Sequence, residues 1–105
     1  MGYPQIILLA FYAAQLAYTM VYHGSEYRIS PLFSIVSGAL TLALLFTGGF
    51  FSVFAIPQIA YILFAIMTMG FAFINKGKEV PINFYGTVIT AALLLAWYWA
   101  GGFFA

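Results

Sequence analysis

Every charged side chain in this sequence falls in one of two short segments. Glu26 and Arg28 lie within His23–Ser30, and Lys76, Lys78 and Glu79 lie within Asn75–Pro81. Elsewhere the chain runs uncharged, for 19 residues over Pro4–Tyr22, 16 over Leu32–Thr47, 18 over Pro57–Ile74 and 19 over Ile82–Ala100. A hydrocarbon core is crossed by roughly 17–25 helical residues. Composition removes the alternative of a buried core helix. The 105 residues are 66% hydrophobic and 5% charged, with a mean hydropathy of +1.08. A domain this small leaves much of its surface exposed and has nowhere to hide so much apolar side chain from water. The pattern therefore predicts an all-α membrane protein with four transmembrane helices, and it excludes a water-soluble monomer.

The breaks agree with that reading. Gly24, Ser25 and Pro31 surround the first pair of charges, Gly77 and Pro81 the second group, and Gly48-Gly49 ends the second run. The first run is expected to be a retained helix rather than a signal peptide. No basic segment precedes it and no small-residue cleavage site follows it. The connector Phe50–Ile56 is itself apolar, and the third helix is expected to start near Pro57, since proline is tolerated in a first turn.

Sliding the sequence against itself by 53 positions aligns it without a gap, with 15 identities over the 49 pairs from Tyr3/Ile56 to Phe51/Phe104. Pro4-Gln5-Ile6 falls on Pro57-Gln58-Ile59, and Gly48-Gly49-Phe50-Phe51 falls on Gly101-Gly102-Phe103-Phe104. Chance matching in a biased composition gives roughly one identity in ten pairs. The expected organisation is two tandem two-helix hairpins, residues 1–53 and 54–105. A unit with an even number of spans repeats in parallel, unlike the inverted repeats of many transporters. A pseudo-two-fold axis along the membrane normal is then the simplest arrangement.

Each hairpin carries the same punctuation. A proline opens the first helix, where a missing N–H is harmless, and His23-Gly24 or Lys76-Gly77 closes it. A cation there suits the negative end of the helix dipole, so His23 reads as a cap on the first helix. The charged loops lie on one side, and three Lys/Arg against none makes that side cytoplasmic, with both chain ends outside. Aromatic residues mark two boundary belts, Tyr3, Phe46, Phe50, Phe51, Trp97, Tyr98, Trp99, Phe103 and Phe104 on one side and Tyr22, Tyr27, Phe33, Phe84 and Tyr85 on the other.

Little here carries chemistry. With no cysteine there is no disulfide, thiolate or zinc-thiolate site, and five charges make no nucleic-acid footprint. Ser25, His23 and Glu26 lie together without an oxyanion motif, and a triad is a matter of geometry rather than composition. No catalytic, metal or cofactor-binding residues are expected. Gln5 and Gln58 sit near helix starts, placed to bond free amides. Gln15 is mid-membrane, where a polar side chain faces the bundle and finds a partner. Ser34, Ser37, Gly38 and Thr41 form one stripe of small residues on the second helix; Thr87, Thr90 and Ala91, with Gly86 beside them, match it on the fourth. Ala10, Ala14 and Ala17 make a similar stripe on the first. Such stripes let helix backbones approach closely in lipid; a weakly polar pore lining is the alternative.

The pattern P-Q-I, an apolar helix, H-G, a short polar loop and a second helix ending in L-L-x-x-G-G-F-F is present as Pro4-Gln5-Ile6, His23-Gly24 and Leu44-Leu45-x-x-Gly48-Gly49-Phe50-Phe51. It resembles very small two-span membrane proteins predicted in tailed phages and prophages, and the chain looks like two such units fused. The second copy departs from the pattern with Lys76 and Trp97-Tyr98. The resemblance implies a phage setting and a bacterial inner membrane, not a mechanism. In size and span count the chain is also similar to small multidrug resistance transporters, but their coupling needs a membrane-embedded glutamate and Gln15 stands at that depth. The expected function is a non-catalytic membrane subunit, with the bilayer and further copies of itself or a larger membrane complex as partners. A holin-like pore former is the alternative, and a small transporter a further one.

The topology has a direct test. In intact cells an impermeant thiol reagent is expected to label a Ser52→Cys variant and not a Ser25→Cys variant. The opposite result would reverse the orientation.

Overall fold

The computed structural model describes residues 2–104. Two kinds of N-terminal cap start its helices, and each is used twice. In α1 (Tyr3–Val21) Gln5 Oε1 accepts from the Gly2 N–H at 3.0 Å, and in α3 (Ile56–Ile74) Gln58 Oε1 accepts from the Ala55 N–H at 3.2 Å. In α2 (Pro31–Thr47) the Ser30 hydroxyl accepts from the Phe33 N–H at 3.4 Å, and in α4 (Phe84–Ala100) the Asn83 side chain accepts from the Gly86 N–H at 3.1 Å. These bonds satisfy amides that a helix leaves without intrahelical partners. The four helices form a ring in which α1 touches α2 and α4, and α3 touches α2 and α4. Two of them, α1 and α3 at 19 residues each, are long and apolar enough to cross a membrane; α2 and α4 are apolar at 17 residues each.

The fold departs from an all-helical expectation in one place. The two polar loops pair as an antiparallel ribbon, β1 (Glu26–Arg28) with β2 (Glu79–Pro81). Both loops emerge at the same end of the bundle, and pairing satisfies backbone groups that neither loop satisfies alone. This is also why α4 begins at Phe84 rather than at the start of the uncharged run. Ile82 is held extended, its N–H donating to Ser25 O at 2.7 Å. The register is Glu26 with Pro81, Tyr27 with Val80 and Arg28 with Glu79. The hydrogen bonds around the ribbon recur in pairs. Gly24 N–H donates to Ile82 O and Gly77 N–H to Ile29 O, at 3.0 and 3.1 Å; Ile29 N–H donates to Lys78 O as Ile82 N–H does to Ser25 O. Arg28 and Glu79 add an exposed ion pair at 3.6 Å, a contact of little energetic weight.

At the opposite end the chain reverses on glycine. Gly49 and Gly102 adopt φ of +82° and +78°, a left-handed conformation that costs a side-chain-bearing residue about 1–2 kcal/mol. The reversal turns the next residue inward. Phe50, in a 3₁₀ turn over Phe50–Ser52, is 1% exposed, and Phe103 is 3% exposed. Their rings meet edge-on at 5.8 Å, and Phe50 also meets Tyr61 at 6.0 Å and Tyr98 at 5.4 Å. Edge-to-face pairs at such spacing add about 0.5–1.5 kcal/mol beyond burial. Leu8 and Leu45 complete this core without exposed surface. Phe50, Phe103 and Tyr98, assigned by sequence to a boundary belt, are therefore core residues. Tyr3, Phe46 and Trp99 at that end stay on the outside.

Phe50→Ala is expected to cost about 3–5 kcal/mol, the range for a buried aromatic. Phe46→Ala, at a side chain 77% exposed, should stay within about 0.5 kcal/mol. Unfolding in detergent of both variants is the measurement. Equal losses would remove Phe50 from the core.

Candidate functional site

The buried aromatic residues fill only the half of the bundle away from the ribbon. Toward the ribbon the helices enclose an open-sided cavity of about 1060 Å³. Its floor is Tyr12 and Leu94, its roof includes Ile29 and Ile82 of the loops, and its walls come from all four helices, α1 and α4 above all. A second chamber of about 290 Å³ lies on the α2–α3 side. The two adjoin, with Phe11, Gln15, Ser34, Thr68 and Thr90 bordering both.

Gln15 and the eight small residues singled out on α2 and α4 stand on these walls, as does Ala14 of the α1 stripe but not Ala10 or Ala17. Gln15, Ser34 and Thr90 line both chambers; Gly86, Thr87 and Ala91 line the larger, and Ser37, Gly38 and Thr41 the smaller. The stripes of α2 and α4 look into the bundle from opposite corners of the ring rather than directly at each other. Contact is tight at one of these positions. A Cβ on Gly38 would collide with the Met69 methyl of α3, whereas one on Gly86 would meet nothing nearer than Asn83 Cγ at 3.6 Å.

The polar groups of the wall fall into two sets. Thr41, Thr68, Thr87 and Thr90 donate their hydroxyls to carbonyls of their own helices, Ser37, Phe64, Asn83 and Gly86, at 2.9–3.0 Å. Their oxygens keep accepting capacity. Gln15, Ser34 and Ser37 differ: among the described residues their side chains have no hydrogen-bond partner, and all three are only half-buried. The interhelical partner expected for Gln15 is absent, because the helices stand apart at its level. Among the described residues one charged group, Arg28 of the loop region, lines the cavity.

Sequence reasoning missed the floor. Tyr12 and Tyr98 join their hydroxyls at 2.8 Å, and Tyr61 packs against Tyr98 with ring centroids 5.5 Å apart. The available signal was Tyr12, which sits halfway along an apolar run rather than at a boundary.

His23 also has a role the sequence did not show. It caps the other hairpin's helix, with Nδ1 accepting the Phe84 N–H at 3.1 Å and its ring edge-on to Tyr85 at 5.8 Å. The amide it engages belongs to the start of α4 and not to the end of α1, where the sequence placed its capping role. The counterparts 53 positions away fit this. Lys76 replaces His23, and Pro31, which has no N–H to satisfy, replaces Phe84. Gln5 and Gln58 each do two tasks, since their amides also donate across the closed end, to Phe103 O at 3.0 Å and Gly101 O at 3.5 Å.

Gly38→Leu is expected to lower stability by about 1 kcal/mol, the low end of overpacking, because the flexible end of Met69 must swing into the adjoining chamber, and Leu40→Ala by less. Thermal melts in detergent and in lipid compare the two. Equal stability would mean that Gly38 borders open space rather than Met69. No protein-family model, no curated protein and no solved structure matches the chain.

Proposed function

We propose that the chain is a multi-pass protein of a bacterial inner membrane that acts as a non-catalytic, self-assembling or accessory subunit. Its four spans form two tandem hairpins related by a two-fold axis along the membrane normal, with the charged loops cytoplasmic and both ends outside. The observation that carries the reading is the distribution of apolar side chains. Leu32, Leu63, Ile66, Met67 and Ile74 stand exposed on the surface of a bundle whose core, around Leu8, Leu45, Phe50 and Phe103, buries only a small part of the apolar side chain. Water disfavours that arrangement, because exposed apolar surface costs about 25 cal/mol per Å²; a bilayer does not. The paired hydrogen bonds of the loops and caps support the two-hairpin organisation. Engagement of His23 Nδ1 by the Phe84 amide argues against a base acting on Ser25. The phage setting rests on the sequence resemblance.

The polar cavity gives weight to a second reading, a holin-like pore former. In that case water passes between copies, because Phe50, Phe103, Leu8 and Leu45 fill the axis of one bundle at its closed end. Expression of the tagged full chain in a bacterium separates the readings. Resistance to carbonate extraction, crosslinked multimers in intact membranes and no leak of an internal dye are expected. Extraction by carbonate would overturn the membrane assignment, and prompt dye leakage would favour the pore former.

A further inference from the structure

We infer that the cavity between α1 and α4 is a binding site for one neutral amphiphile drawn from the bilayer, of the acylglycerol type: an apolar chain with a hydroxyl- or ester-bearing head. The inference rests on the membrane reading above. Three properties of the cavity select this class.

The first is access. Ala14 and Tyr18 of α1 line the open-sided cavity and are themselves exposed. In a membrane that opening faces lipid, so the occupant arrives from the bilayer. The second is polarity. Gln15 and Ser34 present hydrogen-bonding atoms without a protein partner among the described residues, and an unpaired polar group in hydrocarbon costs several kcal/mol. The Gln15 amide donates to an ester or hydroxyl oxygen, and the oxygens of Thr87 and Thr90 accept from a ligand hydroxyl. Phe11, Phe33 and Leu94 supply apolar surface for the chain. The third is charge. Arg28 is the one charged group on the wall among the described residues; it lies in the loop region, 3.6 Å from Glu79. Nothing deeper balances an anionic or cationic head. A volume of about 1060 Å³, open on one side, is just above the roughly 300–1,000 Å³ of small-molecule sites.

The opposite face explains why there is one site per chain. Gly38 and Met69 on the α2–α3 side correspond, 53 positions on or back, to Ala91 and Leu16 on the α1–α4 side. The Met69 side chain reaches the notch at Gly38 and occupies space there, leaving about 290 Å³. Methionine is the side chain most able to fill an irregular gap of this kind.

The test uses the full chain in phosphatidylcholine vesicles containing a monoacylglycerol with a photoreactive diazirine in its acyl chain. Flotation first shows whether the chain enters the vesicles. Recovery in the aqueous fraction overturns the membrane reading itself, before any irradiation. After irradiation, adducts are expected to concentrate on α1 around Ala14–Tyr18 and on α4 around Thr87–Thr90. Excess monooleoylglycerol should abolish them, and excess phosphatidylglycerol should not. Gln15→Leu is expected to weaken labelling about threefold, the effect of one interhelical-strength hydrogen bond. Ala91→Phe, which fills the cavity from its wall, should remove the saturable component while leaving the far-UV spectrum unchanged. Labelling that does not saturate, or that spreads evenly to Leu63 and Ile66, would overturn the site. Equal competition by phosphatidylglycerol would overturn the requirement for a neutral head.

Discussion

The specific contacts that hold these four helices together lie at the two ends of the bundle. The decisive contact here is the fold-back of Phe50 and Phe103 onto Tyr61 and Tyr98. It draws the four helices together at one end and brings the Gln5 and Gln58 amides onto carbonyls of the C-terminal turn. The ribbon ties the other end by backbone hydrogen bonds. A bundle cinched by bulky rings at one end and bridged by a ribbon at the other is left hollow between them. The cavity follows from those two fastenings rather than from any one wall residue.

The helices were legible because charge marks their limits. Uncharged runs bounded by Glu26, Arg28, Lys76, Lys78 and Glu79 predicted each helix to within about two residues, and Pro4, Pro31 and Pro57 fall in first turns as a missing N–H requires. The ribbon was not legible. Three-residue strands carry no periodicity, and Glu-Val-Pro reads as a loop until Glu-Tyr-Arg lies beside it. The aromatic end was misread for a related reason. A phenylalanine after Gly-Gly looks the same in sequence whether it points to lipid or turns back, and the sign of φ at Gly49 and Gly102 decides. The small residues of α2 and α4 were found, but their spacing describes a helix face and not the distance to the next helix. Gly38 meets Met69 while Ser34, one turn nearer the ribbon, meets open space.

His23 shows how differences between the halves carry information that identities do not. The histidine accepts an amide hydrogen from Phe84, and 53 positions away the corresponding residues are Lys76 and Pro31, a proline with no hydrogen to give. Each substitution is intelligible only with its partner across the ribbon.

The register of that ribbon has a further consequence. Tyr27 pairs with Val80, its own counterpart, and Glu26 and Arg28 pair with the counterparts of each other. On the two-hairpin reading, each strand edge is complementary to itself, so two separate hairpins would associate in the same way. Joining them through the short segment between Gly49 and Ile56 replaces that encounter with an intramolecular one, at an effective concentration in the millimolar range for short linkers. Linkage also releases the halves from identity. Two copies of one hairpin must carry the same residue at each equivalent place, whereas a joined pair can set methionine against leucine and open one face of the bundle while filling the other.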